Sequence, residues 1–228
     1  MLNIIKKIFW KFREASYRGH ANQKKFNWNW REQGYNRVAL VNYLIAKTGG
    51  LKSNYLEIGC DSNMLFDAVA SLKKTGIDPS SGGTHRMTSD DFFKDNTAKF
   101  DTVFIDGLHE YSQVRRDALN ALEVINEGGW IAFHDFLPST WKEQHVPRIS
   151  KAWTGDCWKL AVELSRAQGI EFMIVKIDRG VGLMRKISKN YEVPDLSHEL
   201  ANAQFDRFVM EVDNLPIVDF KEAARIIG

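Results

Sequence analysis

Between residues 54 and 186, short apolar runs alternate with helix-length amphipathic segments, and the apolar runs tend to stop at an acid or a glycine. Strands are expected at 54–59, 73–78, 101–106, 129–134, 170–177 and 181–186, with a weaker one over 85–88. Helical patterns lie near 62–71, 89–95, 111–126 and 152–168. Such alternation calls for parallel strands joined by right-handed crossovers. The last two long runs are separated only by Asp178-Arg179-Gly180, too few residues for a crossover, so they must pair as an antiparallel hairpin at the sheet's end. The fold class that follows is α/β, a doubly wound and mostly parallel seven-stranded sheet with an antiparallel terminal hairpin.

In such a sheet the ligand sits beyond the carboxyl ends of the strands, where the strand order reverses. Four runs end there in polar residues: Glu57-Ile58-Gly59, then Asp78, then Asp106, then His134-Asp135. The first turn, "YLEIGCDSNMLF", holds one glycine, whereas a pyrophosphate-binding dinucleotide loop uses three. Gly59 admits close backbone approach by a ligand. Asp78, about 20 residues after the first loop, is placed to accept hydrogen bonds from ribose hydroxyls. Ser89-Asp90 opens the next helix, where it would cap that helix and touch an adenine edge. Carboxylates at this density suit a cationic nucleoside ligand, and S-adenosyl-L-methionine carries a sulfonium, an ammonium and a ribose without phosphate.

Outside the core, a helix over 36–47 ends at Gly49-Gly50. Residues 1–50 read as an N-terminal helical extension, 51–186 as the cofactor-binding core and 187–228 as a tail of two helices, together one domain. "FNWNW", Phe26 to Trp30, reads as aromatic packing. Leu2, Ile5, Ile8, Phe9 and Phe12 share a helical face near Lys6, Lys7, Lys11 and Arg13. A helix of that kind packs on its own domain, on a second subunit as in a homodimer, or on an anionic membrane surface. The balance of 31 basic and 29 acidic residues, net +2, gives no general pull toward nucleic acid. Two cysteines, Cys60 and Cys157, make no disulfide framework, which points to a reducing, cytoplasmic setting.

The ordered set "YLEIG", "GIDPSSGGTHRMTSDDFF", "FDTVFIDGLHEYSQVRRDALNAL", "NEGGWIAFHDFLPST", "HVPRISKAWTGDCWK" and "IDRGVGLM" resembles the class I S-adenosylmethionine-dependent methyltransferases. More narrowly, it is similar to the small-molecule and sugar O-methyltransferases related to macrocin O-methyltransferase and the cephalosporin-hydroxylase-like proteins. The resemblance covers roughly residues 50–185 and implies the Rossmann-like methyltransferase fold. It places Glu57, Gly59 and Asp61 along the methionine and ribose of the cofactor, Asp78 at the ribose hydroxyls, and Ser89 and Asp90 near adenine. Asn63 and Met64 stand where such loops often carry a further glycine.

Methyl transfer from a sulfonium is an in-line displacement, so the protein mainly aligns the partners. An oxygen acceptor must also lose a proton, which asks for a base or a metal. Asp106, His109, His134 and Asp135 are the catalytic candidates, with His109 either the base or a loop residue fixing Asp106. Related enzymes hold a divalent ion with acids at the positions of Asp106 and Asp135, which implies Mg2+ as a second cofactor. Phe136 stands where a third oxygen ligand is usual. The long loop with Trp141, His145, Arg148, Trp153, Asp156 and Trp158 suits a sugar-like or other small-molecule acceptor, or else simply buries itself against the sheet. Two other readings stay open: an NAD-dependent oxidoreductase, disfavoured by the glycine-poor loop, and a non-catalytic cofactor-binding or membrane-peripheral module.

Overall fold

The computed structural model describes residues 2–228. Its first helix, α1 (Leu2–Ser16), leads through an aromatic segment to α2 (Arg37–Thr48). Asn36 caps α2 by accepting from the Ala39 amide, and Gly49 follows its last turn. The core then runs β1 (Asn54–Ile58), α3 (Met64–Ala68), β2 (Lys73–Ile77), α4 (Ser89–Asp95), β3 (Phe100–Ile105), α5 (Tyr111–Val124) and β4 (Ile125–Phe133). After α6 (Trp141–Gln144) and α7 (Trp158–Leu164) comes the hairpin β5 (Ile170–Val175) and β6 (Val181–Lys186). The tail holds α8 (Ser197–Leu200), α9 (Phe205–Glu211), β7 (Ile217–Val218) and α10 (Phe220–Ile227).

These strands form one seven-stranded sheet in the order β2-β1-β3-β4-β6-β5-β7. The first four are mutually parallel, and β6 runs antiparallel to both β4 and β5. Apolar residues cover both faces. Leu56, Val103 and Ile131 pack with α5 and α7, while Tyr55, Phe104 and Trp130 pack with α2 and α10. Sheets buried on both sides need continuous apolar strands, which is what these segments supply.

Register positions the site. Ile58 lies opposite Ile77 and Ile105, and Ile105 lies opposite Phe133. The next residues along the chain, Asp78, Gly59, Asp106 and His134, therefore leave the sheet side by side at its carboxyl end. The strand order reverses between β1 and β3, so this row spans the switch point.

Four expectations need correction. Residues 85–88 form no strand; His85 makes a single bridge to Ile77, because the Gly82-Gly83 turn delivers the chain almost directly into α4. The seventh strand is instead β7, bonded outside the hairpin through Ile174 N to Pro216 O at 2.9 Å and Lys176 N to Val218 O at 2.8 Å. The tail is thus more than two helices. The helix expected over 152–168 starts only at Trp158, because Thr154 and Gly155 turn their amides toward the Glu143 carbonyl.

On α1 the side chains of residues 1–7, Leu2 and Ile5 among them, lie outside the described residues, while Ile8, Phe9 and Phe12 are exposed. Phe26, Trp28 and Trp30 stack in series and Phe26 meets Phe205 and Phe208, which makes the aromatic segment packing. No described helix is long and apolar enough to cross a membrane.

Candidate active site

A cavity of about 790 Å³ opens over the row of strand ends. Glu57, Gly59, Asp61, Asp78, Ser89, Asp90, Asp106, His109, His134 and Asp135, the complete set expected from the sequence, all line it.

On the β1–β2 side the carboxylates are tied to the protein itself. Asp78 accepts from the Asp61 amide at 2.9 Å, the Ser80 and Ser81 amides at 2.8 Å, and the Ser80 hydroxyl at 3.0 Å. Burial opposes its charge, yet those donors outweigh burial and hold its carboxyl below the usual range. The turn takes its left-handed residues from Asp61 (φ 43°) and Asn63 (φ 63°), side chains that tolerate this region, so the missing glycine costs little. Asn63 Oδ1 also accepts from the Gly83 amide at 2.7 Å, tying the first loop to the second.

Gly59 has a reason beyond ligand approach. At φ 84°, a Cβ there would stand 2.1 Å from the Asp106 carbonyl oxygen, so the glycine lets two strand ends meet. Burial lifts the Glu57 carboxyl to about 7, against the Tyr55 hydroxyl that donates to it at 2.5 Å. The α4 cap is Thr88, which accepts from the Asp91 amide at 3.1 Å, rather than Ser89 or Asp90. Ser89 and Asp90 instead accept from Gln113 at 3.2 and 3.1 Å.

The β3–β4 side is built otherwise. Asp106 Oδ1 lies 3.2 Å from both His109 Nε2 and His134 Nδ1, and Asp135 Oδ2 lies 3.0 Å from His109 Nδ1. That last approach lacks hydrogen-bond alignment and leaves His109 Nδ1 buried without a partner; Asp135 Oδ1, 3.4 Å from His134 Nδ1, is likewise buried without a hydrogen-bond partner among the described residues. Burial works against every charge here, but the mutual attraction prevails. Both aspartates are held low, His134 is raised, and His109 is raised to about 9. Arg37 Nη1 stands 3.1 Å from His134 Nε2, and a guanidinium only donates, so this contact works against a second proton on that ring. Arg37 also pairs with Asp178 at 3.1 Å.

His109 is bound to Asp106, as the loop reading expected, and its ring also lines the cavity, where the base reading needs it. Trp153 stacks on it at 5.2 Å and 10°. Behind it, a Cβ at Gly155 would stand 1.6 Å from the His109 carbonyl, so that loop closes tightly on the His109 backbone.

Donor atoms of Asp106, His134 and Asp135 lie within 4.8 Å of one another. The third donor absent at Phe136, whose ring is fully buried, is supplied by the imidazole one residue before Asp135. With an unpartnered Asp135 oxygen among them, these residues fit a divalent cation, and the mixed nitrogen and oxygen set admits metals other than Mg2+.

Of the long loop, Arg148 and Trp153 line the cavity. Trp141, His145 and Trp158 are buried, Trp158 donating to Gln144 at 3.0 Å, and Asp156 accepts from the Tyr111 amide at 2.6 Å. Sequence reasoning missed Arg37, Lys151 and Arg179, which also line the cavity. Single cations in loops carry no spacing signal, so only the fold could gather them.

A doubly wound sheet with a closing hairpin, and acids at the ends of its central strands, defines the class I methyltransferase architecture. Residues 55–136 match the family model described as a methyltransferase domain. A candidate O-methyltransferase from Klebsiella pneumoniae superposes with a TM-score of 0.51 at 12% identity, over 79% of this chain and 90% of that one, a likeness of fold alone. A methyltransferase of Podospora anserina, solved with S-adenosylhomocysteine, aligns with a TM-score of 0.48 at 13% identity, over 81% of this chain and 95% of that one. An uncharacterized protein of Acanthamoeba polyphaga mimivirus is 37% identical over 51 residues, 22% of this chain; the match spans 23% of that relative's length.

Proposed function

We propose that this chain is a single-domain enzyme that moves the methyl group of S-adenosylmethionine onto a hydroxyl of a small polar acceptor such as a sugar, a glycan precursor or a secondary metabolite. The observation that carries the reading is the buried cluster of Asp106, His109, His134 and Asp135 in a cavity that is also walled by the β1 and β2 loops. Adenosine would lie along Asp61, Asp78, Ser89 and Asp90, and the methionyl part would reach past Glu57 and Gly59 toward Asp106. Because Asp78 is already saturated by internal donors, its service is to hold the loop and its negative potential in place. The ribose would meet that loop as a preformed surface.

Displacement at sulfur then needs alignment more than covalent help, and stacking of Trp153 on His109 keeps the acceptor side rigid. The acceptor hydroxyl would meet this cluster from the cavity on its His109 side and donate toward a carboxylate of Asp106 or Asp135, since a protonated His109 ring only donates. The hydroxyl proton is shared by His109 and the two aspartates, which titrate as a unit. A divalent ion, when bound, would be held by Asp106, His134 and Asp135, and would supply Lewis acidity toward the acceptor oxygen.

Calorimetric titration with S-adenosylmethionine, S-adenosylhomocysteine and NAD tests the reading. The first two are expected to bind and NAD is not. Binding of NAD with no response to either sulfur nucleoside would replace the proposal with an oxidoreductase.

A further inference from the structure

The cavity is electrically polarised. Its acids Asp61, Asp78 and Asp90 belong to the β1, β2 and α4 side. Beyond the Asp106–His134–Asp135 cluster the wall changes sign: Arg148 and Lys151 come from the segment after β4, and Arg179 from the β5–β6 turn. Among the described residues none of these three has a carboxylate within 4.0 Å. Arg37, by contrast, is already engaged with Asp178 and His134.

Two of the three are held in place. Arg148 donates from Nε to the Ser150 carbonyl at 3.0 Å and from Nη2 to the Lys151 carbonyl at 2.5 Å. Its guanidinium lies between Trp10 at 5.6 Å and Trp153 at 5.5 Å. Arg179 sits at φ 66°, a region a long side chain seldom adopts, and its carbonyl accepts from the Leu137 amide at 2.8 Å. Like charges lining one cavity without counter-charges repel each other, and an incoming anion relieves that repulsion. Arginine in particular offers a fixed fork to carboxylate or phosphate oxygens.

We infer that the acceptor carries an oxyanion, a phosphate or a carboxylate, which Arg148, Lys151 and Arg179 receive while its hydroxyl meets the Asp106–His134–Asp135 cluster on its His109 side. The inference rests on the methyltransferase reading above and narrows its acceptor to anionic hydroxylated molecules. The methionyl carboxylate is another oxyanion in the same cavity, so the test is made with that carboxylate already seated.

Protein loaded with S-adenosylhomocysteine is titrated with glucose, glucose 6-phosphate, glucuronate and inorganic phosphate. At least one of the three anions should bind at least tenfold more tightly than glucose and weaken as salt is raised. In Arg148→Gln/Lys151→Gln/Arg179→Gln that advantage should fall at least tenfold while S-adenosylhomocysteine binds as before. Lys151→Gln alone, a change at an exposed side chain that leaves the fold intact, should weaken anion binding in the same direction. The inference is overturned if no anion binds, if glucose binds as well as the anions, or if neither variant changes anion binding. A wild-type protein that fails to take up S-adenosylhomocysteine at the loading step instead removes the methyltransferase reading itself.

Discussion

Asp78 and Asp106 leave the two strands that flank β1, each one residue after a shared register line, yet the protein treats them in opposite ways. Asp78 is surrounded by peptide amides and a serine hydroxyl, donors whose protonation never changes. Asp106 faces two imidazoles, and Asp135 beside it keeps an oxygen with no hydrogen-bond donor among the described residues. A carboxylate satisfied by amides is a fixed part of a surface. A carboxylate satisfied by titratable rings belongs to a system whose protons can be rearranged. Under the proposed function, the β1–β2 side of the cavity supplies shape and the β3–β4 side supplies chemistry.

The contrast can be broken most forcefully at the seam between the two sides. Gly59→Ala forces a Cβ onto the Asp106 carbonyl at a positive φ, and is expected to cost about 4 kcal/mol in denaturant unfolding. A loss under about 1 kcal/mol would show that the strand ends separate freely. His109→Ala is expected to slow turnover by about 10²-fold, near 3 kcal/mol, with S-adenosylmethionine affinity within about twofold. Equal losses in binding and turnover would mean that the two sides are not separable.

Asp78→Ala should do the reverse, weakening S-adenosylmethionine binding by about 2 kcal/mol, with turnover at saturation largely kept. Intact affinity in calorimetry would remove Asp78 from the donor surface. The mildest effect is a slope with pH. The Glu57 carboxyl lies near 7 in the folded protein and 4.5 otherwise, so the folded state binds this proton more tightly. Its contribution is complete below about pH 4.5 and is lost as pH rises through about 7, with a slope no steeper than about 1.4 kcal/mol per pH unit. Glu57→Gln should flatten that window in urea midpoints measured from pH 4.5 to 8, and an unchanged slope would refute the assignment.

Much of this was legible in the chain because acids and glycines punctuate its strands. The ends at Glu57-Ile58-Gly59, Asp78, Asp106 and His134-Asp135 could be ranked by the rules of a doubly wound sheet, and all of them reach the cavity. The failures have physical causes too. β7 is two residues long, too short for any periodicity, and it exists because the hairpin edge offers the Ile174 and Lys176 amides. The helix before Trp158 was overextended because its apolar spacing continues backward into a loop that Gly155 presses against His109. Looking for a third metal ligand after Asp135 found only Phe136, whereas the left-handed backbone at Asp135 (φ 65°) lets two successive side chains share one cluster.

The first helix is joined to the His109 ring by a column of flat groups. Trp10 lies under Arg148, Arg148 lies over Trp153, and Trp153 rests on His109. Glu14 and Lys142 pin the same helix from the other end at 2.7 Å. A helix whose outward side is apolar at Ile8 and Phe12 is thus joined by unbroken side-chain contact to an imidazole several residues inward.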